Sequence, residues 1–211
     1  MILYKTTNRL FKGQYQYKIV LTVPGSSLFR SGDMDATLRQ LQKIDLNKTS
    51  DLLFYRANIK SKDDLDYTFK LQSTIKKLES KLWLRVESPW VSVYTNEKSV
   101  VKSLTKLDES RVKYVCAPPE GGTLVSGTVI LPKINFEYKV TLGKTNHENS
   151  AFIEWAEQNS KVKLTKSCIN HLTKDSSWGG SYFYITGDKN LLVAKMHLGG
   201  SIGKIERVVK A

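Results

Sequence analysis

Apolar and polar positions repeat with two different periods in the first half of the chain. Tyr15–Val23 alternates between apolar and polar residues, which predicts a strand with one buried face. Leu65–Leu82 places leucines and an isoleucine at helical spacing, with lysines on another side, and predicts an amphipathic helix. Further elements predicted in this half are strands at Leu82–Glu87, Trp90–Thr95 and Arg111–Cys116 and a helix at Glu97–Leu107.

The second half shows the same succession of periods. Its predicted strands are Phe136–Leu142, Lys161–Lys166, Ser181–Thr186 and Lys204–Val209, and its predicted helices are Glu148–Asn159 and Asp188–Leu198. Both halves therefore follow the order β-α-β-β-α-β, which is the split βαβ pattern of a ferredoxin-like plait. The predicted fold class is α+β, with two tandem ferredoxin-like (βαββαβ) plaits. The first plait carries an insert at about residues 26–60, with a helix at Asp33–Ile44 and a strand at Leu52–Ile59.

Short stretches of sequence recur in the two halves. Tyr17–Leu21 matches Tyr138–Leu142, and Val93–Val101 matches Tyr184–Leu192. Between the halves lies Ala117–Gly122, where two prolines remove backbone donors and two glycines loosen the backbone. The sequence thus predicts an internal duplication with one domain over residues 1–117 and a second over residues 118–211.

Charge narrows the class of partner. The 211 residues include 33 Lys and Arg against 20 Asp and Glu, a formal net charge of +13, in a chain of ordinary globular composition. Such a surplus favours a polyanionic partner, RNA or single-stranded DNA.

Several classes of protein are disfavoured. No apolar run approaches the roughly 20 residues of a membrane-spanning helix, and the first residues lack the apolar core of a signal peptide. Two cysteines, Cys116 and Cys168, cannot build a disulfide scaffold, so we expect a reducing cytoplasm and no membrane partner.

Signals of catalysis or metal binding are weak. Gly199–Gly203 satisfies the G-x-S-x-G expression of a nucleophile elbow, but a helix is predicted before it and a strand after it, the reverse of what that motif needs. Cys168 and His171 supply half of a zinc site, and Asp63–Asp66 is typical of a helix cap and first turn. We therefore expect no catalytic residue, no metal and no cofactor.

Lysines and aromatic residues are predicted to share the open face of each sheet. If Tyr17, Ile19 and Leu21 face the helices, positions that alternate with them, such as Lys18, point away from the helices. The residues so placed are Lys18, Trp90 and Tyr94 in the first half and Lys139, Tyr182 and Tyr184 in the second. The RNA-recognition plait holds bases on such a face by stacking and phosphate neutralisation, although its RNP consensus is absent from this chain. The competing interpretation is that these rings bury an interface between the halves.

Two smaller features complete the candidate site. Lys161, Lys163 and Lys166 make one strand edge basic, although exposed lysines commonly form only a solvated surface. Glycine amides beside a hydroxyl and an ammonium group can form a nest for one phosphate, which is the functional interpretation of Gly199, Gly200, Ser201 and Lys204. Trp178–Ser181 is a second candidate, with an aromatic ring supplied by Trp178, and backbone conformation is the ordinary explanation of both.

The sequence thus predicts a basic, non-enzymatic protein that binds single-stranded or structured RNA or DNA. One alternative is a structural or assembly protein, such as a viral one, with a protein partner or a second copy of itself. The other is a metal-independent endoribonuclease using a histidine or tyrosine. In outline, tandem ferredoxin-like folds with a late glycine-rich loop resemble the CRISPR RNA-processing endoribonucleases, but no residue motif of that family maps onto this chain.

Overall fold

A computed structural model describes residues 2–46, 58–144, 149–173 and 179–210 of the chain. The chain divides into two compact units, Met1–Thr123 and Leu124–Ala211. The predicted boundary at 117/118 lies at the end of the last strand of the first unit. Each unit has a hydrophobic core of its own, between one side of a five-stranded sheet and the helices packed on that side.

The first unit contains five strands and three α-helices in its described residues. In chain order they are β1 (Tyr4–Thr6), β2 (Tyr17–Thr22), α1 (Met34–Leu41), α2 (Lys62–Lys77), β3 (Leu82–Glu87), β4 (Trp90–Thr95), α3 (Lys98–Thr105) and β5 (Val112–Ala117). The strand order across the sheet is β1-β5-β2-β4-β3. β1 runs parallel to β5, and the other neighbouring pairs are antiparallel.

The second unit also contains five strands and three α-helices in its described residues, although its helices fall at different places in the chain order. Its elements are β6 (Thr128–Ile130), β7 (Tyr138–Leu142), α4 (Ser150–Glu157), β8 (Val162–Leu164), α5 (Lys166–Leu172), β9 (Tyr182–Ile185), α6 (Asp188–Leu198) and β10 (Ile202–Val209). The strand order is β6-β10-β7-β9-β8, with one parallel pair, β6 and β10. The protein is therefore an α+β protein, as the periodicity predicts, and it has two five-stranded mixed sheets.

Local chemistry explains where the helices of the first unit begin. The Asp33 side chain accepts hydrogen bonds from the Asp35 and Ala36 amides at the start of α1. Ser61 caps α2 by accepting from the Asp64 amide, and Asp63 and Asp64 lie in the first turn, where the helix dipole favours negative charge. The acidic cluster is thus a cap and first turn, as the sequence indicates.

Three elements were not predicted, and one prediction cannot be compared. β1 and β6 are three-residue strands, too short to show alternation, and α5 occupies residues assigned to a turn. Lys166 begins α5 rather than ending a strand, because Thr165 caps that helix through the Cys168 amide. The strand predicted at Leu52–Ile59 lies outside the described residues, apart from its last two positions.

No helix in the described ranges combines the length and the apolar character that crossing a membrane requires.

Candidate nucleic-acid interface

The two sides of the first sheet differ sharply in composition. Ile19 and Leu21 of β2 are fully buried against the helices, so Lys18, the residue before Ile19, points to the other side. We call this other side of a sheet, opposite its helices, the helix-free face. In the first unit its basic and aromatic residues are Lys5, Lys18, Trp83, Arg85, Trp90, Tyr94 and Tyr114, and the same register also places Val20, Thr22, Glu87, Ser92 and Cys116 there.

One row of side chains crosses the whole first sheet on its helix-free face. Lys5 pairs with Cys116, Cys116 with Lys18, Lys18 with Tyr94, and Tyr94 with Trp83. Directly opposed residues in antiparallel strands stand within side-chain contact distance of each other. The row therefore brings Lys18 of β2 beside the Tyr94 ring of β4, with the Trp83 ring of β3 next to Tyr94 and Lys5 of β1 on the far side of Cys116.

The lysines of this face lie against the rings. The Lys18 Nζ atom is 5.5 Å from the ring centroids of both Tyr94 and Tyr114, and the Lys5 Nζ atom is 4.5 Å from that of Tyr114. Burial alone would lower the pKa of Lys18, but hydrogen bonding to the Tyr114 and Tyr94 hydroxyls outweighs it and raises the pKa above its usual value. Lys18 therefore carries a full positive charge at neutral pH.

A β-bulge adds Lys113 to the same face. Val112 and Val115 of β5 are both buried in the core although they are three residues apart, because the register with β2 shifts between Val20 and Leu21. The Lys113 Nζ atom lies 3.2 Å from the ring centroid of Trp90. With 38% of its surface exposed, Trp90 is the most accessible of the predicted aromatic site residues in the first unit.

Tyr94 occupies the predicted face but is covered. Phe11 and Tyr15, which precede β2, place their ring centroids 5.7 and 6.2 Å from that of Tyr94, and only 5% of Tyr94 remains exposed. The neighbouring Lys12 Nζ atom lies 3.4 Å from the Trp83 centroid. Tyr94 thus supports the face from beneath and does not offer a free ring.

The second sheet has an equivalent row. Lys163 pairs with Tyr184, Tyr184 with Lys139, and Lys139 with Glu206. The stacked Phe136 ring lies 6.0 Å from Tyr184, which is 8% exposed, and this burial raises the Tyr184 pKa.

Tyr182 is the more accessible ring of this second face. It is half-buried, with the Lys139 Nζ atom 4.0 Å from its ring centroid. Its own ring makes an edge contact with Tyr184, at a centroid distance of 5.5 Å. The second unit therefore repeats the combination of a lysine, an accessible ring and a covered ring.

The covered tyrosines extend the similarity between the units. Lys18 faces Tyr94 in the first sheet, and Lys139 faces Tyr184 in the second. The aromatic residue two positions before the first residue of β2 or β7, Tyr15 or Phe136, contacts the covered tyrosine in each case.

One charged residue on the helix-free face of the second unit, Glu206, was not predicted from the sequence. Its side chain is 1% exposed, and its Oε1 atom accepts a 2.6 Å hydrogen bond from Lys204 Nζ. Its Oε2 atom is buried without a hydrogen-bond partner in the structure. The alternation of β10 places residue 206 on the same side of the strand as Lys204, and this pattern could have predicted its position on the face.

The predicted lysines of the β8 region lie in different elements of the structure. Lys163 is exposed on the helix-free face opposite Tyr184, whereas Lys161 precedes the strand. Lys166 is the first residue of α5, at the helix end where a cation is disfavoured. Of the three, the register places only Lys163 beside an aromatic site residue.

The glycine loop lies at the C-terminal end of α6. Gly199 ends that helix with a φ of +48°, and Gly199–Ser201 forms one 3-10 turn. Unpaired carbonyls give this end of a helix a negative partial charge, which disfavours a phosphate. Lys204, the cation predicted to assist, is paired with Glu206.

Another set of glycines serves close packing of the backbone. A Cβ atom on Gly179 would lie 3.0 Å from the backbone of Gly143, and one on Gly203 would lie 3.0 Å from the Gly143 amide nitrogen. The Gly143 amide donates to the Ser201 carbonyl, and the Gly180 amide donates to the Leu142 carbonyl. Backbone approach therefore explains Gly179 without any ligand.

Alanine substitutions distinguish a glycine that close backbone packing requires from a glycine with open space around it. We expect Gly179→Ala to destabilise the protein by about 1–3 kcal/mol, because its Cβ meets backbone atoms that cannot rotate away. Gly200→Ala meets nothing within 4 Å and should change stability by less than about 0.5 kcal/mol. Urea denaturation followed by circular dichroism measures both. Equal stability of the two variants would contradict the close-packing explanation.

The cysteines and histidines among the described residues have the surroundings of residues that pack in a structure, not of reactive groups. Burial raises the pKa of the Cys168 thiol to about 12 and raises that of Cys116, so both thiols are protonated at neutral pH. His171 is buried in α5, and His197 stacks on Trp155 at 5.8 Å. In the described ranges, no three His, Cys, Asp or Glu residues are grouped to hold a metal ion.

Comparisons of the chain with models of protein families, with curated proteins and with solved structures find no match.

Proposed function

We propose that this protein binds single-stranded or unpaired nucleic acid through its helix-free faces and leaves the bound strand chemically unchanged. The observation that carries the proposal is the set of four lysines of the first unit, Lys5, Lys12, Lys18 and Lys113, whose ammonium groups lie against aromatic rings. A protein that binds a nucleic-acid strand needs both kinds of group side by side, because ammonium groups neutralise phosphates and aromatic rings stack on bases.

The proposed mechanism begins with electrostatic capture. The net charge of +13 attracts a polyanion, and each phosphate neutralised by a lysine releases about 0.7 counterions from a single strand. A base then stacks on an accessible ring, Trp90 or Tyr182. The lysine that covers each ring in the free protein, Lys113 or Lys139, moves from the ring to a neighbouring phosphate.

The same proposal includes the finer description of the fold. Without β1 and β6, the strand orders become β5-β2-β4-β3 and β10-β7-β9-β8, with antiparallel neighbours. We infer that each unit is a ferredoxin-like plait with an additional edge strand, and that the two arose by tandem duplication. The equivalent strand orders and the repeated lysine and tyrosine positions support this inference.

Removal of the two accessible rings tests the stacking step. The double variant Trp90→Ala, Tyr182→Ala should bind a single-stranded oligonucleotide at least about 30-fold more weakly, since each stacked base contributes about 1–3 kcal/mol. Fluorescence anisotropy of a labelled oligonucleotide measures the affinity. Circular dichroism confirms that the variant is folded.

The matched control keeps a flat ring at both positions. Trp90→Phe, Tyr182→Phe should bind within about fivefold of the wild type, because phenylalanine also stacks on bases. Unchanged affinity in the alanine variant would rule out stacking on these rings, and an equal loss in both variants would show that ring faces are not what the strand recognises.

One observation favours the alternative of an assembly protein. Leu192 and Met196, one turn apart on α6, are 60% and 77% exposed, and exposed apolar pairs can anchor protein contacts. Under this alternative the protein would elute as a stable oligomer that Leu192→Ser, Met196→Ser dissociates, with no salt-sensitive retention of nucleic acid. An endoribonuclease that uses a histidine gains no comparable support, since both described histidines lie on helices, away from the helix-free faces.

A further inference from the structure

β1 is the edge strand of the first sheet and extends it beyond β5. Tyr4 of β1 points to the helix side, opposite the core residue Val115, yet 67% of its surface is exposed.

A groove occupies the uncovered strip between α3 and the β1 edge. Its volume is about 450 Å³, within the range of small-ligand sites. Val101, Val115 and Ala117 form an apolar floor, and the Tyr4 and Tyr17 rings line the same space. The groove lies entirely in the first unit and on the opposite side of the sheet from the helix-free face.

Three lysines follow the rim of this groove along α3. Lys98, Lys102 and Lys106 are four residues apart, so they stand on one side of the helix, about 6 Å from one turn to the next. All three are exposed, and none forms an ion pair with a described residue. Glu109 is the one acidic residue that lines the groove.

Helix stability does not explain the position of Lys98. It is the first residue of α3, where the helix dipole disfavours a cation, and the first turn contains no acidic residue. The preceding Glu97 is bonded to Lys81 and Ser99. Three unpaired cations beside an apolar slot with an exposed ring are complementary to a ligand that joins a flat ring to phosphates.

We propose that this groove binds a phosphorylated nucleoside, with its base on Tyr4 and the apolar floor and its phosphates on Lys98, Lys102 and Lys106. The same chemistry is offered by a free nucleotide and by the phosphorylated end of a polynucleotide. This site is separate from the helix-free faces and does not depend on the function proposed for them.

Binding of ADP and of inorganic pyrophosphate, measured by isothermal titration calorimetry on the full chain, tests the site. ADP should bind more tightly than pyrophosphate, because only ADP offers a base to Tyr4. Lys98→Gln, Lys102→Gln, Lys106→Gln should weaken both ligands about tenfold or more, because charge-assisted contacts to phosphate are lost. Tyr4→Ala should weaken ADP alone.

A matched variant controls for the overall charge. Lys62→Gln, Lys70→Gln, Lys77→Gln removes three exposed charges from α2 and should leave ADP affinity within about twofold. An equal loss in the α2 and α3 variants would overturn the proposal, as would ADP that binds no better than pyrophosphate. Absence of ADP binding at about 1 mM would overturn it as well.

Competition against bound ADP then distinguishes the source of the ligand. A trinucleotide with a 5′-phosphate that displaces ADP, where the 5′-hydroxyl form does not, assigns the groove to a strand end. Displacement by neither trinucleotide assigns it to a free nucleotide. Both results support the site, whereas equal displacement by both trinucleotides would contradict recognition of a terminal phosphate and a single nucleoside.

Discussion

Replacing Lys5, Lys18 and Lys113 together by glutamine should weaken single-strand binding roughly 500-fold at about 50 mM salt and only roughly fivefold at about 500 mM. Each lost phosphate contact removes about 0.7 from the slope of log affinity against log salt, so the slope should fall by about 2. These lysines share the helix-free face of the first unit, and the raised pKa of Lys18 keeps it protonated across neutral pH.

The measurement is a salt series of anisotropy titrations on the wild type and the variant. The α2 variant, Lys62→Gln, Lys70→Gln, Lys77→Gln, carries the same change in net charge on a helix of the opposite side. Its slope should change by less than about 0.5 if affinity resides in the helix-free face rather than in total charge. Equal slopes for the two variants would mean that the lysines act only through net charge.

Phe183→Ala should destabilise the second unit by about 3–5 kcal/mol, because it leaves a cavity in a small core. Phe183 is fully buried, and its ring centroid lies 5.2 Å from that of Phe152. The core around it contains residues of the sheet, such as Val140, and residues of the helices, such as Leu198. Loss of several kcal/mol is a large part of the stability of a unit this small.

Tyr182→Ala is the neighbouring control for this prediction. Residues 182 and 183 point to opposite faces of β9, so the tyrosine substitution removes surface contacts and should cost about 1 kcal/mol or less. Urea denaturation curves followed by circular dichroism give both values. If Tyr182→Ala proved as destabilising as Phe183→Ala, the assignment of the two faces would be wrong.

Alternation in the sequence was sufficient to place the predicted residues on the correct side of each sheet. Lys18, Trp90 and Tyr94 follow the burial of Ile19, Val91 and Val93, which is visible as an apolar pattern without any structure. Lys113 was not predicted on this face, because a bulge interrupts the alternation of β5. Its signal was the three-residue spacing of the buried Val112 and Val115.

Accessibility of the rings could not be predicted in the same way. Tyr94 is covered by Phe11 and Tyr15, and Tyr184 by Phe136, through contacts that depend on how the chain before β2 and β7 crosses the sheet. Periodicity within a strand contains no information on such a crossing. The glycines illustrate the same limit, since the close approach of Gly179 to Gly143 joins residues far apart in sequence.

Titration of the wild-type protein with a single-stranded oligonucleotide, at about 50 and 200 mM salt, tests the central claim most directly. Tryptophan fluorescence is the natural signal, because Trp90 and Trp83 stand among the lysines of the first helix-free face. Saturable quenching that weakens at least about 10-fold at the higher salt is the expected result, equivalent to more than two phosphate contacts. Fluorescence that remains unchanged by the oligonucleotide at low salt, with no binding by anisotropy, would contradict nucleic-acid recognition by these faces.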